Sequence, residues 1–294
     1  MEWIDQIQNA VDYIEAHLEE KIDYAEVAAR AYVSSYHFQR MFAFLCGMSL
    51  GEYIRRRRLS RAGKDLLDGN KVLDVAVKYG YESSESFSRA FQRFHGVLPS
   101  QVKRGASAKY FQRISLNLQS EGEGRVNCTV EERPAKTLVG FRKRFCGVPY
   151  GAERLRQEDE FYRTTRGKQW LLLGAASDRE TEYVVVTNVG DDGYDFYIAY
   201  ELDDWTRKAL FDRAVTGMDL EQAGFEIVDL PKRICAVFPT EKLKYPISEY
   251  VDIRQRVALE WLPRSDYQLA EAPEVVELHW RTGERYIEIT LPIM

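Results

Sequence analysis

At 294 residues with a formal net charge of −5, the chain is long enough for two domains of ordinary size, and its composition, 45% hydrophobic and 30% charged, is that of a folded globular protein. No run approaches the ~20 apolar residues of a membrane span, and no basic segment leads into an apolar stretch at the start, so a cytoplasmic protein without a membrane partner is expected. The net charge hides a segregation: residues 32–113 carry 15 Lys and Arg against 6 Asp and Glu, whereas residues 114–294 carry 24 against 32, which suits one domain to a polyanion and the other to something else.

The first predicted element is an amphipathic helix, with Ile4, Ile7, Val11, Ile14 and Leu18 on one stripe. A short helix, "AEVAARA", comes next and leads into "SSYHFQRMF" at 34–42, where Phe38, Met41, Phe42 and Leu45 follow the spacing of a core-facing helix stripe. Tyr36, Gln39, Arg40 and Ala43 then face outward, and the Ser34/Ser35 pair can cap the first turn. The segment "EYIRRRRLSRAGKDLL" (52–67) is a predicted connector helix of roughly 24 Å at ~1.5 Å per residue. Its run Arg55, Arg56, Arg57 and Arg58 is expected to meet phosphates.

After the connector the chain repeats itself. "LDVAVKYG" is a second short helix, and "SSESFSRAF" (83–91) restates the earlier stretch: Phe38 and Phe87, Arg40 and Arg89, Phe42 and Phe91, Gly47 and Gly96 all pair at an offset of 49 residues. Phe87, Ala90, Phe91 and Phe94 face inward; Glu85, Ser88, Arg89 and Gln92 face outward. Ala28 and Ala76 permit close packing of each short helix. A single such unit could be ordinary bundle structure. Two copies, each a short helix, a tight turn and a polar-faced helix, form the arrangement that places side chains in successive major grooves ~34 Å apart.

Beyond residue 105 the pattern changes. "SEGEGRVN" (120–127) is rich in Gly and Glu, and β-branched and aromatic runs that read as strands follow, among them "KTLVGFRKRF", "WLLLGAA", "YVVVTNV", "YDFYIAYEL", "RICAVF", "VVELHW" and "YIEITLPI". "RPAKTLVGF" (133–141) resembles "LPKRICAVF" (230–238), and each is followed by a helical run. The expected fold is multidomain: an all-α double helix-turn-helix domain over residues 1–105, a linker over 106–125, and an α+β domain of two β-α-β-β repeats over 126–294. In the last strand Ile287, Ile289 and Leu291 alternate with Tyr286, Glu288 and Thr290, so Glu288 points away from the helices. If that face is a cleft, a carboxylate among aromatic walls suits an organic cation, with Glu277 as a second candidate. Trp170 and Tyr150 are further wall candidates on composition. Cys46, Cys128, Cys146 and Cys235 form neither a disulfide framework nor a metal motif and are expected to be buried thiols, and the four histidines show no ligand or triad spacing; neither cofactor nor metal is expected.

The quoted helical motifs, with "GEYIRRRRL" and "SFSRAFQRFHGVLPSQVKR", make residues 5–104 similar to the DNA-binding domain of the AraC/XylS family of bacterial transcription regulators. The resemblance implies two helix-turn-helix units joined by a long helix and bound to double-stranded DNA. It places base-reading positions at Tyr36, Gln39, Arg40, Ser84, Glu85, Ser88 and Arg89. Phosphate contacts fall on Ser35, Lys103 and Arg104 beside the arginine run. Glu85 departs from the family's more usual neutral or basic residue and suits a cytosine amine. Residues 126–294 resemble the GyrI-like effector-binding domain through "FEIVDLPKRICAVF", "EWLPRSDYQLAEAPEVVELHW" and "YIEITLPI". That implies a cleft for bulky cationic or aromatic molecules, with Tyr197, Trp261 and Tyr286 as walls beside Glu288.

Taken together these features point to a ligand-responsive transcription regulator, not an enzyme, with duplex DNA, a small effector and RNA polymerase as partners. Two other classes stay open for the second domain. It could be a small-molecule hydrolase using a pocket glutamate, although no oxyanion hole or partner acid is evident, or a module that inhibits or recruits a protein.

Overall fold

The computed structural model describes residues 2–114, 127–150, 152–211, 224–242, 246–262, 265–280 and 284–294. The chain forms two compact units, dividing in the main between residues 121 and 122. Among the described residues no helix is long and apolar enough to cross a membrane.

The first unit is helical: α1 (Glu2–Ala16), α2 (Tyr24–Ala29), α3 (Ser35–Cys46), α4 (Leu50–Leu67), α5 (Val72–Lys78), α6 (Ser84–His95) and α7 (Pro99–Val102). The apolar stripes read from the sequence are the core. Ile7, Val11, Ile14 and Leu18 are buried, as are Phe38, Met41, Phe42, Phe87 and Phe91, and each large side chain so buried stabilises by about 1.5–3 kcal/mol. Ala28 and Ala76 are also buried, which lets each short helix close on its partner. Ser34 Oγ accepts from the His37 amide at 3.2 Å and Ser83 Oγ from the Ser86 amide at 3.1 Å, capping α3 and α6 at equivalent positions. Both helices end at a glycine in the left-handed region, Gly47 at φ +65° and Gly96 at φ +83°, where a side chain would be strained.

Helix α4 belongs to both helix-turn-helix units. Its Tyr53 packs on Phe42, rings 5.5 Å apart, while Leu59 and Leu66 join the core around Phe87 and Phe91. Residues 106–114, expected in the linker, instead run along this helix. The Lys109 amide donates to His95 Nδ1 at 3.0 Å, the Phe111 amide to Ser60 Oγ at 3.0 Å, and the Arg57 guanidinium to the Phe111 carbonyl. The rest of the expected linker, residues 115–125, lies outside the described residues.

The second unit is built on one antiparallel sheet of eight described strands: β1 (Thr129–Arg133), β2 (Lys136–Cys146), β3 (Thr181–Gly190), β4 (Gly193–Glu201), β5 (Glu226–Leu230), β6 (Arg233–Pro239), β7 (Glu274–His279) and β8 (Tyr286–Pro292). Helices α8 (Ala152–Thr164) and α9 (Arg166–Ala175) follow β2, α10 (Asp204–Phe211) follows β4, and α11 (Ile247–Arg256) follows β6 and runs on through a π-helical turn, Val257–Trp261. The run "WLLLGAA", expected as a strand, is the end of α9 instead: its Leu and Ala residues are strong helix formers and it holds no β-branched residue.

The strand order, β1-β6-β8-β7-β3-β4-β2-β5, separates β1 from β2 by six places. In a flat sheet that is ~29 Å at ~4.8 Å per strand, yet only Pro134 and Ala135 join them, a reach of about 11 Å. The sheet must curl. Pairing confirms it: Arg133 lies opposite Arg233 and Lys136 opposite Leu230, so one register continues across the break. Pro134 and Pro231, which lack an N–H, interrupt the ladder at that point. Neither short strand, β1 or β5, was expected; both are five residues long and largely exposed, so they carry no clear alternation.

Alternation along the strands assigns the faces. Val184, Val276, Leu278 and Ile287 look toward α8 and α11. Leu138, Tyr183, Val185, Tyr197, Ala199 and Val275 cluster on the opposite face. Of the cysteines only Cys235 is buried; Cys146, at the end of β2, is exposed, contrary to expectation.

Candidate nucleic-acid interface and effector site

The outward face of α6 is open. Glu85, Arg89, Gln92 and Arg93 are exposed, with Ser84 and Ser88 half-buried between them. The α3 face differs. Tyr36 and Gln39 are half-buried, and Gln39 Nε2 donates to Ser35 Oγ at 3.1 Å, which ties both candidate residues to their own helix. Arg40 is only 4% exposed and its guanidinium lies 5.7 Å from the Tyr36 ring centroid, a cation–π approach one turn back along α3. Helices α3 and α6 are equivalent in sequence position but not in presentation.

The expectation that Arg55 to Arg58 all meet phosphates does not survive. Four consecutive helical residues at ~100° intervals span most of the circumference, so they cannot share a face. Arg57 turns inward. Its Nε and Nη2 donate to Glu15 Oε1 and Oε2 at 2.7 and 2.9 Å, and Tyr53 OH donates to the same carboxylate at 2.8 Å. Burial acts to raise the Glu15 carboxyl, but hydrogen bonds from Arg57 and Tyr53 and the charges of Arg57 and Arg61 outweigh it and hold it below its ordinary value. Arg58 is spent on the end of α1, donating to the carbonyls of Leu18 at 2.8 Å and Glu20 at 2.5 Å. Arg55 and Arg56 stay partly exposed, both paired with Glu52. Lys103 and Arg104 are exposed beside α7.

In the second unit Glu288 and Glu277 are direct cross-strand partners on the face away from the helices, as their alternation requires. They are not free to select a cation. Arg133 Nη2 donates to Glu288 at 2.9 Å, and its Nη1 lies 3.8 Å from Glu277. The neutralising arginine was missed because it stands 155 residues from Glu288 in the chain. Tyr286 stacks on His279, centroids 4.2 Å apart, and His279 brings ligand atoms within 4.8 Å of both glutamates. Sequence spacing had suggested no such trio, and the Arg133 guanidinium already occupies its charge.

Four other wall candidates lie elsewhere. Trp170 is 72% exposed on α9. Tyr150 is buried and donates to Glu274 at 3.0 Å. Trp261 packs edge-on against Phe238 at 4.9 Å. Tyr197 faces away from the helices, 3.4 Å from Glu226.

A cavity of about 270 Å³ opens between α8, α11 and the sheet, on the side not foreseen. Val184, Val276, Leu278 and Ile287 form its floor, Tyr162 and Trp280 its aromatic walls, and its lining is almost wholly apolar. Arg154 and Glu158 at one side pair with each other. Below Tyr162 lies Glu182, buried, accepting from Tyr162 OH at 2.7 Å and Tyr200 OH at 3.1 Å. Burial raises its carboxyl, opposed in part by the two hydroxyls. A signal for Glu182 was present: in "TEYVVVTNV" a period of two puts it on the stripe of Val184 and Val186, an acid in an apolar register.

A family model described as a helix-turn-helix domain matches residues 27–105. The HTH-type transcriptional activator AarP of Providencia stuartii is 38% identical over 95 residues, 32% of this chain and 70% of AarP. The transcriptional regulator Rob of Salmonella typhimurium is 35% identical over 106 residues, 36% of this chain; the match spans only 37% of Rob. Among solved structures, SAV2435 bound to tetraphenylphosphonium overlaps 57% of this chain and 94% of its own at 11% identity, with a TM-score of 0.41.

Proposed function

The chain belongs to the AraC/XylS family of helix-turn-helix transcription regulators, and from that premise we propose that it is a ligand-responsive regulator whose second unit takes a bulky, largely apolar effector. Residues 2–114 read duplex DNA chiefly through the open face of α6, with Glu85, Ser88 and Arg89 toward bases. The α3 face, Arg55, Arg56, Lys103 and Arg104 contribute the remaining contacts.

The effector-binding reading rests on the helix-side cavity, which is lined by apolar strand residues and aromatics and, at about 270 Å³, lies just under the usual range of small-molecule sites. Aromatic compounds are favoured by Tyr162 and Trp280. Arg154 already neutralises Glu158, so any preference for a positive charge rests on Glu182 beneath. The strand order reads the same when β1–β4 are exchanged with β5–β8, which supports two ββαββ halves and a GyrI-like unit over residues 126–294. Each half carries one short strand more than the β-α-β-β repeat expected.

The test is a thermal-stabilisation screen of aromatic cations and their neutral analogues on the full chain. A compound present at 100 times its Kd should add about 2.7 kcal/mol. Leu278→Trp, which fills the cavity floor, should abolish that gain and any effect of the compound on DNA binding. Stabilisation that persists in Leu278→Trp would refute the assignment of the cavity.

A further inference from the structure

A second, smaller cavity of about 180 Å³ lies on the opposite side of the sheet, where the two proline links meet. Pro134, Pro231, Pro273 and Pro292 wall it together with Tyr183 and Val275. Its charged lining is basic in excess, with Arg133, Lys136 and Arg233 against the single carboxylate of Glu277.

The register explains why these cations stand together. Arg133 on β1 is the direct cross-strand partner of Arg233 on β6, and like charges so placed repel unless something neutralises them. Arg133 is served by Glu288 at 2.9 Å. Lys136 donates to Tyr183 OH at 2.6 Å and lies 3.7 Å from Glu201. Arg233 has no side-chain ion pair or hydrogen bond among the described residues.

One buried polar atom of the lining also lacks a partner: Thr290, 4% exposed, makes no hydrogen bond through its hydroxyl. Arg133 Nε makes no hydrogen bond, but the Glu131 carboxylate lies 2.9 Å from it and pairs with its charge. A guanidinium only donates, and a hydroxyl can do so. What Arg233 and the Thr290 hydroxyl call for is an acceptor carrying negative charge, in a space otherwise lined by prolines and a tyrosine.

We propose that this cavity binds a small organic carboxylate. Its oxygens accept from Arg233, with Lys136 and the Thr290 hydroxyl in support, and its aliphatic or aromatic body lies against Tyr183 and the prolines. Glu277, which also lines the cavity and lies 3.8 Å from Arg133 Nη1, selects against a dianion. The site is independent of the helix-side cavity: it lies on the other face of the sheet and has the opposite charge preference.

The experiment titrates benzoate, benzylamine and benzyl alcohol, three probes of one shape and different charge, into the full chain by calorimetry. Benzoate should bind at least about tenfold more tightly than either of the others, the worth of one charge-assisted contact. Arg233→Gln should cost benzoate about tenfold or more. Thr290→Val should weaken benzoate a few-fold without lowering the melting temperature, because the hydroxyl has no partner to lose. Leu278→Trp should leave benzoate affinity unchanged. The proposal is overturned if benzoate binds no better than the same concentration of chloride, if benzylamine binds more tightly, if Arg233→Gln leaves affinity intact, or if Leu278→Trp removes it.

Discussion

Replacing Arg57 separates a structural role from a DNA-contacting one. Its guanidinium makes two hydrogen bonds to Glu15 and a third to the Phe111 carbonyl, joining α1, α4 and the segment 106–114. In Arg57→Ala the buried Glu15 carboxylate keeps only Tyr53 at 2.8 Å and Arg61 at 3.2 Å. Breaking a buried pair costs about 3–5 kcal/mol, and the surviving partners bring the expected loss to roughly 2–4 kcal/mol. The double change Glu15→Gln with Arg57→Met removes both charges and should recover most of it, since a buried pair contributes little net stability over a neutral replacement. The assay is urea unfolding of the full chain followed by helical circular dichroism, with DNA affinity measured against salt in parallel. A phosphate contact would behave in the opposite way: the unfolding midpoint would hold and the salt slope would fall by about one. That outcome for Arg57→Ala would refute the structural role.

Arg55→Ala with Arg56→Ala should do what Arg57→Ala should not, lowering the salt slope of DNA binding while changing stability by less than about 0.5 kcal/mol, as read by anisotropy and urea titration. Arg89→Ala should cost about 1–3 kcal/mol at a selected site, and Arg40→Ala less, because Arg40 is buried over Tyr36; equal losses would show that α3 presents Arg40 to the groove after all. Burial holds His37 down to about 4 and depresses His95 as well, so the unfolded chain takes up these protons first. Stability of the helical unit should thus be flat above pH ~6.5 and fall below it by up to about 1.4 kcal/mol per pH unit for each group, a slope that His37→Gln should reduce. Glu182 has the opposite sign: its carboxyl is raised by burial, so it costs stability as pH rises through its folded value, and Glu182→Gln should raise the melting temperature at pH 8 more than at pH 4.

The parts of this molecule that were legible in the sequence are those set by local period. The stripes of α1, α3 and α6, the paired serine caps and the paired glycines at an offset of 49 all follow from a helix that must bury one side and end cleanly. The arginine run was misjudged because composition has no direction: a helix distributes four consecutive side chains around its axis, and the inner one met Glu15, 42 residues away.

Glu288 shows the other limit. Alternation assigns it correctly to the face opposite Ile287 and Ile289, but a face acquires its charge from whatever the fold brings to it. Arg133 reaches Glu288 because a two-residue link must span six strand positions, which curls the sheet and carries the end of β1 to β8. The trace of that closure in the sequence is the pair Pro134 and Pro231, each seven residues before a phenylalanine. They read as marks of an internal repeat. They are also the points where the inter-strand ladder loses its donors, and where three cations are gathered around a cavity that strand patterning alone had assigned to a cation.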